Sequence, residues 1–183
     1  MPSAELTRAL QDLVKTRLAA YKYPREVEYV DRFEMTSSGK INRKHLRAAE
    51  TLATALNDQR RLGRAYAYLA EYFRMTGDAA RAVESGERAL ALATARGDFA
   101  LEVMATFFVG IAYHALGDYG RAVDCFSRNM ASLTGDLIRE RFGMTGLPAV
   151  MSRAWLVSCL ADLGAFAEGA ARGEEALRLA EAV

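Results

Sequence analysis

The sequence predicts an all-α fold: antiparallel helix pairs repeated about three times as an α-solenoid, preceded by a small α-β-α segment. Three observations predict it. No proline occurs from Thr51 to Leu147, where Ala, Leu, Arg and Glu, all strong helix formers, dominate. A short string recurs: MTGDAARAV at 75–83 aligns with ALGDYGRAV at 115–123, placing Gly77 on Gly117 and Ala82 on Ala122 after a shift of 40. A third copy, DLGAFAEGA at 162–170, sets Gly164 on Gly117 after a shift of 47.

The elements follow in chain order. Ser3 or Pro2 opens a helix with Leu6, Leu10, Leu13, Val14 and Leu18 on one face. YKYPR at 21–25 breaks it, and EVEYV at 26–30 alternates as a short strand. TSSGKINRKHLR at 36–47 is a Gly-containing loop entering another helix, which can run as one rod over 42–56. Six further helices are expected at about 59–75, 79–96, 99–115, 119–133, 148–163 and 166–181, joined by Gly-centred turns. TGDLIRERFGMTGLP at 134–148 absorbs the longer third period as a loop. Its Arg139, Glu140 and Arg141 read either as a solvated connection or as a recognition loop.

Cation usage divides the chain. Residues 1–50 hold all four lysines, and residues 51–183 carry arginine alone. Two domains are therefore expected, 1–50 and 51–183.

In the second pair Val109, Gly110 and Tyr113 are followed by Ala122 and Phe126. Ala70, Phe73, Ala82 and Gly86 take those places in the first pair, and Val157, Leu160, Gly169 and Gly173 in the third. This pattern resembles the tetratricopeptide repeat family over 59–183, with small residues admitting a close helix–helix approach and aromatics filling the gap. It departs from that family in a period longer than the usual value of about 34, in lacking the closing proline, and in Thr106 at the tryptophan position. The resemblance implies a protein-binding scaffold whose first helices line a concave face. The face positions would be Arg64, Glu71 and Arg74, then Met104, Phe107, Ile111 and His114, then Met151, Ala154 and Ser158. Such a face suits an amphipathic helix, with arginines for a carboxylate. The alternative is that Phe107 and Ile111 are core.

The front segment carries a second pattern. RALQDLVKTRLAAYKYPREVEYVDRF at 8–33 and TSSGKINRKHLR at 36–47 resemble the C-terminal end of adenylate-forming acyl-CoA synthetases, benzoate-type CoA ligases among them, over roughly 4–48. Phe33-Glu34-Met35 replaces that family's usual Leu-Pro before the threonine. The resemblance implies that Lys40 contacts the acyl carboxylate and phosphate oxygens during adenylation. A flexible ammonium beside Gly39 is chemically suited to neutralise developing negative charge. That family's nucleotide-binding domain has no counterpart in these residues. Lys40 therefore acts in trans on a separate ligase core, or 1–50 is a non-catalytic remnant capping the repeats.

Composition and motifs bound the rest. A net charge of +1 gives no bulk attraction to nucleic acid or membrane. The start, MPSAELTRAL, has no apolar secretory core, and charge interrupts every apolar run. Cys125 and Cys159 lack CxxC spacing or histidine company and read as buried free thiols in a cytoplasmic protein. No GxxxxGK[ST], GxGxxG, HExxH or GxSxG occurs, so no cofactor or metal is expected, and no catalytic residue beyond Lys40. The expected partner is a protein or peptide. Leu177, Leu179 and Val183 form an apolar end that favours a homo-oligomer.

Overall fold

The structure of the protein, a computed structural model, describes residues 43–182 together with Arg8. The expected leading helix, the strand at 26–30 and the lysine loop lie outside the described residues. Those that are described form an all-α fold without strands. The chain divides between Leu62 and Gly63 into two units.

In the first unit, α1 spans Arg43–Ala55, the rod expected at 42–56. Leu46 and Ala53 are buried while Arg47 and Thr51 face solvent. Leu46 and Ala53 are seven apart, two helical turns, which sets them on one stripe. The opening turn of α2 (Gln59–Met75) also belongs to this unit.

The second unit holds the rest of α2, then α3 (Ala79–Arg96), α4 (Phe99–Leu116), α5 (Tyr119–Ser132), a 3-10 turn (Gly135–Arg139), α6 (Pro148–Asp162) and α7 (Phe166–Ala182). Every boundary lies within one residue of its sequence expectation. Helix α3 packs on α4, α4 on α5, α5 on α6 and α6 on α7, and α4 also touches α6.

The helix joints share one chemistry. At Gly77, Gly97 and Gly117 the backbone is left-handed, with φ of 83°, 62° and 84°. Each glycine N–H donates three residues back, and the N–H of the following aspartate donates five residues back, as Asp78 does to the Phe73 carbonyl. This pair of bonds satisfies the outgoing helix's last carbonyls. The same aspartate then caps the incoming helix: Asp78, Asp98 and Asp118 accept from the N–H of Arg81, Leu101 and Arg121. Asn57 (φ 52°) and Asp58 repeat the arrangement, with Asp58 accepting from the Arg61 N–H. One residue thus ends one helix and starts the next at 58, 78, 98 and 118, a spacing of 20 that is half the shift visible in sequence. At the α6–α7 joint Gly164 keeps the left-handed turn, but Ala165 supplies no capping oxygen.

Glycines also set how closely the helices approach. A Cβ added at Gly86 of α3 would stand 2.5 Å from Val109 Cγ2 of α4. At Gly110 of α4 it would stand 2.8 Å from Phe126 Cε1 and 3.1 Å from Cys125 Cβ of α5. Ala82 and Ala122 are fully buried, and Ala122 lies in a cluster with Phe107, Phe126, Leu156 and Leu160. Fully burying a side chain such as Phe107 or Phe126 contributes roughly 1.5–3 kcal/mol. Asn129 of α5 is the polar tie within this core, donating to the Val103 carbonyl of α4 (3.1 Å) and to Ser152 Oγ of α6 (3.4 Å).

Helix α4 is long and apolar enough, by length and composition, to cross a membrane. Here it is the central packing element, with eleven buried residues. Its two polar ends are paired, Glu102 with Arg128 of α5 and His114 with Asp162 of α6.

Replacing Gly110 by alanine gains about 1 kcal/mol of helix propensity but drives a methyl into Phe126. Gly110→Ala should still destabilise by about 1–3 kcal/mol through overpacking, measured by urea denaturation. Unchanged or raised stability would contradict the close α4–α5 contact.

Candidate functional site

The face of the first helices α2, α4 and α6 is where sequence placed a partner groove. The structure corrects that expectation for three residues. Met104, Phe107 and Ile111 are 1%, 2% and 3% exposed and belong to the core. Their clusters take in Leu101, Ala105 and Ala89 on one side and Phe126, Leu156 and Leu160 on the other. Helix α4 has neighbours on nearly every side, so positions that would be open on an outer helix are covered.

The charged positions are also engaged. Arg74 makes a two-pronged bond to Glu71 of its own helix, Nε to Oε2 and an Nη to Oε1, both at 2.8 Å. Its fork is thus already filled by a carboxylate. Arg64 is half-buried, with its Nη2 3.0 Å from where a Cβ on Gly143 would stand. His114 is half-buried, its Nε2 2.8 Å from Asp162 Oδ2 and its ring edge-on to both Tyr119 and Trp155. Met151 is half-buried beside Gly146, whereas Ala154 and Ser158 are exposed.

The connection after α5 explains the closed face. Residues 140–147 return across the first helices. Phe142 and Gly143 take left-handed backbone, with φ of 50° and 80°. Phenylalanine pays a steric penalty there that glycine escapes. In exchange, the Phe142 ring meets Phe99 edge-on at 5.6 Å and packs with Ile138 against Val103, Leu133 and Ala149. The Tyr68 hydroxyl donates to the Gly143 carbonyl at 3.5 Å, across 75 residues of chain. Met144 packs against both large core clusters, bridging the Tyr68 side to the Met151 side. The expected solvated loop is therefore a strap, although Arg139, Glu140 and Arg141 are themselves exposed. The sequence pattern does not single out Tyr68, Phe142, Met144 or Trp155. The one available signal was a phenylalanine, a glycine and a methionine together inside an otherwise charged loop.

Reactive chemistry is sparse here. Burial pushes both thiols up to about 11, with the neighbouring Asp124 adding to the effect at Cys125 and Asp162 at Cys159. Both are free and protonated at neutral pH, poor nucleophiles and poor metal ligands. No group of three metal-capable side chains occurs among the described residues. Tyr113 is held above its ordinary range by burial and by its hydroxyl's bond to Glu87, a tie between α4 and α3. Lys40, the remaining site residue, lies outside the described residues.

Comparison with known proteins finds similarity to acyl-CoA ligases. The chain is 53% identical over 47 residues to the mitochondrial acyl-coenzyme A synthetase ACSM1 of Homo sapiens, covering 26% of this chain and 8% of that protein. It is 52% identical over 48 residues to the uncharacterized acyl-CoA ligase YtcI of Bacillus subtilis, 26% of this chain and 9% of that one. It is 48% identical over 50 residues to 4-hydroxybutyrate–CoA ligase 1 of Metallosphaera sedula, 27% and 9%. The chain spans less than a tenth of the length of the curated relatives it matches. No family model matches it, the tetratricopeptide repeat included.

The strap's packing is testable on its own. Met144→Ala should lower the unfolding free energy by about 1–2 kcal/mol, read from thermal or urea melts. A variant as stable as the parent would contradict a strap seated on both clusters.

Proposed function

We propose that this chain is an accessory piece of an adenylate-forming acyl-CoA ligase, in which the segment resembling the ligase terminus presents Lys40 to a nucleotide-binding core supplied in trans. The observation that carries the reading is local identity of 48–53% to three acyl-CoA ligases over 47–50 residues, the size of the 4–48 resemblance. In this role the ammonium of Lys40 neutralises charge that develops on the acyl carboxylate and phosphate oxygens as the acyl adenylate forms. The helical unit from Gly63 onward then serves to hold the protein that carries the core.

A second reading is a tetratricopeptide-type scaffold that binds a protein or peptide and catalyses nothing. It is favoured by the capped turns at spacing 20 and by helices that pack in sequence order. In that reading residues 1–50 serve only to cover apolar helix surface.

The two readings part on one assay. The ATP-binding core of a matched ligase, stripped of its own terminal segment, is mixed with this chain, ATP and an acyl acid, and ATP–pyrophosphate exchange is followed. The first reading expects exchange that appears on adding the chain and falls about 100-fold with Lys40→Ala, the effect of removing one transition-state contact. Exchange equal with the parent chain and with Lys40→Ala would overturn it and leave the scaffold.

A further inference from the structure

The outer surface of α7 carries the same residue register that receives a helix elsewhere in the fold. Shifting by 47 and then by 40, positions 166, 170, 173, 177 and 180 of α7 correspond to 119, 123, 126 and 130 of α5 with its C-cap 133, and to 79, 83, 86, 90 and 93 of α3. On α5 these positions meet the neighbouring first helices. Tyr119 lies edge-on to His114, the Phe126 ring stacks on Trp155 at 6.4 Å, and Leu133 is fully buried. On α3, Val83 and Leu90 pack into the two large clusters, Gly86 receives Val109 and Ala93 is fully buried. On α7 the stripe is open. Phe166 is 71% exposed and Leu177 65%, with Ala170 and Ala180 exposed between and beyond them.

Gly173 gives the second observation. It lies in the interior of a 17-residue helix, where glycine is weaker than alanine. At its register partner Gly86, an added Cβ would strike Val109 at 2.5 Å, so the fold itself demands glycine. At Gly173 the nearest contact is Val157 Cγ2 at 3.9 Å, which leaves room for a methyl. Nothing among the described residues requires glycine there. A helix approaching from outside, as α4 approaches Gly86, would.

The stripe also names its occupant. Its spacing reads large, small, small, large at 166, 170, 173 and 177, with intervals of four, three and four. That order is the same read in either direction. A two-fold axis between 171 and 172 therefore sets Phe166 of one copy against Leu177 of the other, and Ala170 against Gly173, as an isologous contact requires. Small residues at the centre admit close approach, and the large ones interlock at the ends. The solvent-side flank agrees. Ala167 and Ala171 occupy its first half, and Glu174, Arg178 and Glu181 its second. Antiparallel pairing about this axis opposes the charged half of one copy to the alanine half of the other.

We infer that α7 is a self-association surface, pairing antiparallel with α7 of a second copy about Gly173 and Ala170. The pairing continues the helix-on-stripe packing already used twice inside the chain, and it does not depend on the ligase reading. Of the apolar end expected from sequence, Leu177 takes part. Leu179 does not, because it packs toward Val103, Leu133 and Ala149, and Val183 lies outside the described residues.

Sedimentation equilibrium of the 183-residue chain over a dilution series tests the inference. The expected result is a monomer–dimer equilibrium that Leu177→Glu abolishes with circular dichroism unchanged. Gly173→Ala should raise the melting temperature of the monomer yet weaken the dimer about tenfold. Register is read by oxidising Phe166→Cys and Leu177→Cys chains together and separately, with linked peptides identified by mass. A 166–177 disulfide should form in the mixture, with neither variant linking to itself through the new cysteine. A monomer at every concentration, a dimer that survives Leu177→Glu, or equal linking of each variant with itself would overturn the proposal. So would a chain that stays monomeric and takes up a helical peptide copied from α6 on this stripe.

Discussion

Each joint between consecutive helices from α1 through α5 turns on a single shared residue. An aspartate whose N–H closes the end of one helix uses its carboxylate to open the next. No slack exists in such a joint. The left-handed residue before it, glycine in three cases and asparagine in one, fixes the exit direction, and the cap fixes the phase at which the next helix begins. Phase determines which side chains face inward, and from that the packing follows. Gly86 meets Val109, Gly110 meets Phe126, and Ala82 and Ala122 are fully buried.

The exception is informative. After α5 the chain abandons the tight joint and spends residues 133–147 returning across the first helices before α6 begins at Pro148. The detour brings Tyr68 to the Gly143 carbonyl and seats Met144 on both clusters, occupying the face that a repeat scaffold would offer a ligand. The fold therefore has its own segment where a partner was expected, and among the described residues the two most exposed large apolar side chains, Phe166 and Leu177, lie on α7.

Helix positions were legible in the sequence because they are written locally. The proline-free run, the Gly-Asp pairs and Pro148 at the first turn of α6 mark starts and stops with little help from tertiary structure. The fourfold recurrence at spacing 20 was equally present but masked, since ARGDFALEV at 95–103 shares with both strings on either side only its Gly-Asp and a final valine. The groove was not legible. Whether Met104, Phe107 and Ile111 line a cavity or fill a core depends on what lies over them, and the strap that does so joins positions 75 residues apart. Arg74, expected as a partner contact, is paired with Glu71 three residues away on its own helix.

Adding one alanine between Gly97 and Asp98 tests the shared-residue joint most directly. The insertion parts the helix stop from the helix start and turns everything after it by about a third of a turn. The account predicts a loss of more than about 3 kcal/mol in urea denaturation, the scale of a broken core network, whereas the same insertion within the exposed 139–141 stretch should stay within about 0.5 kcal/mol. Equal, small effects at both places would contradict it.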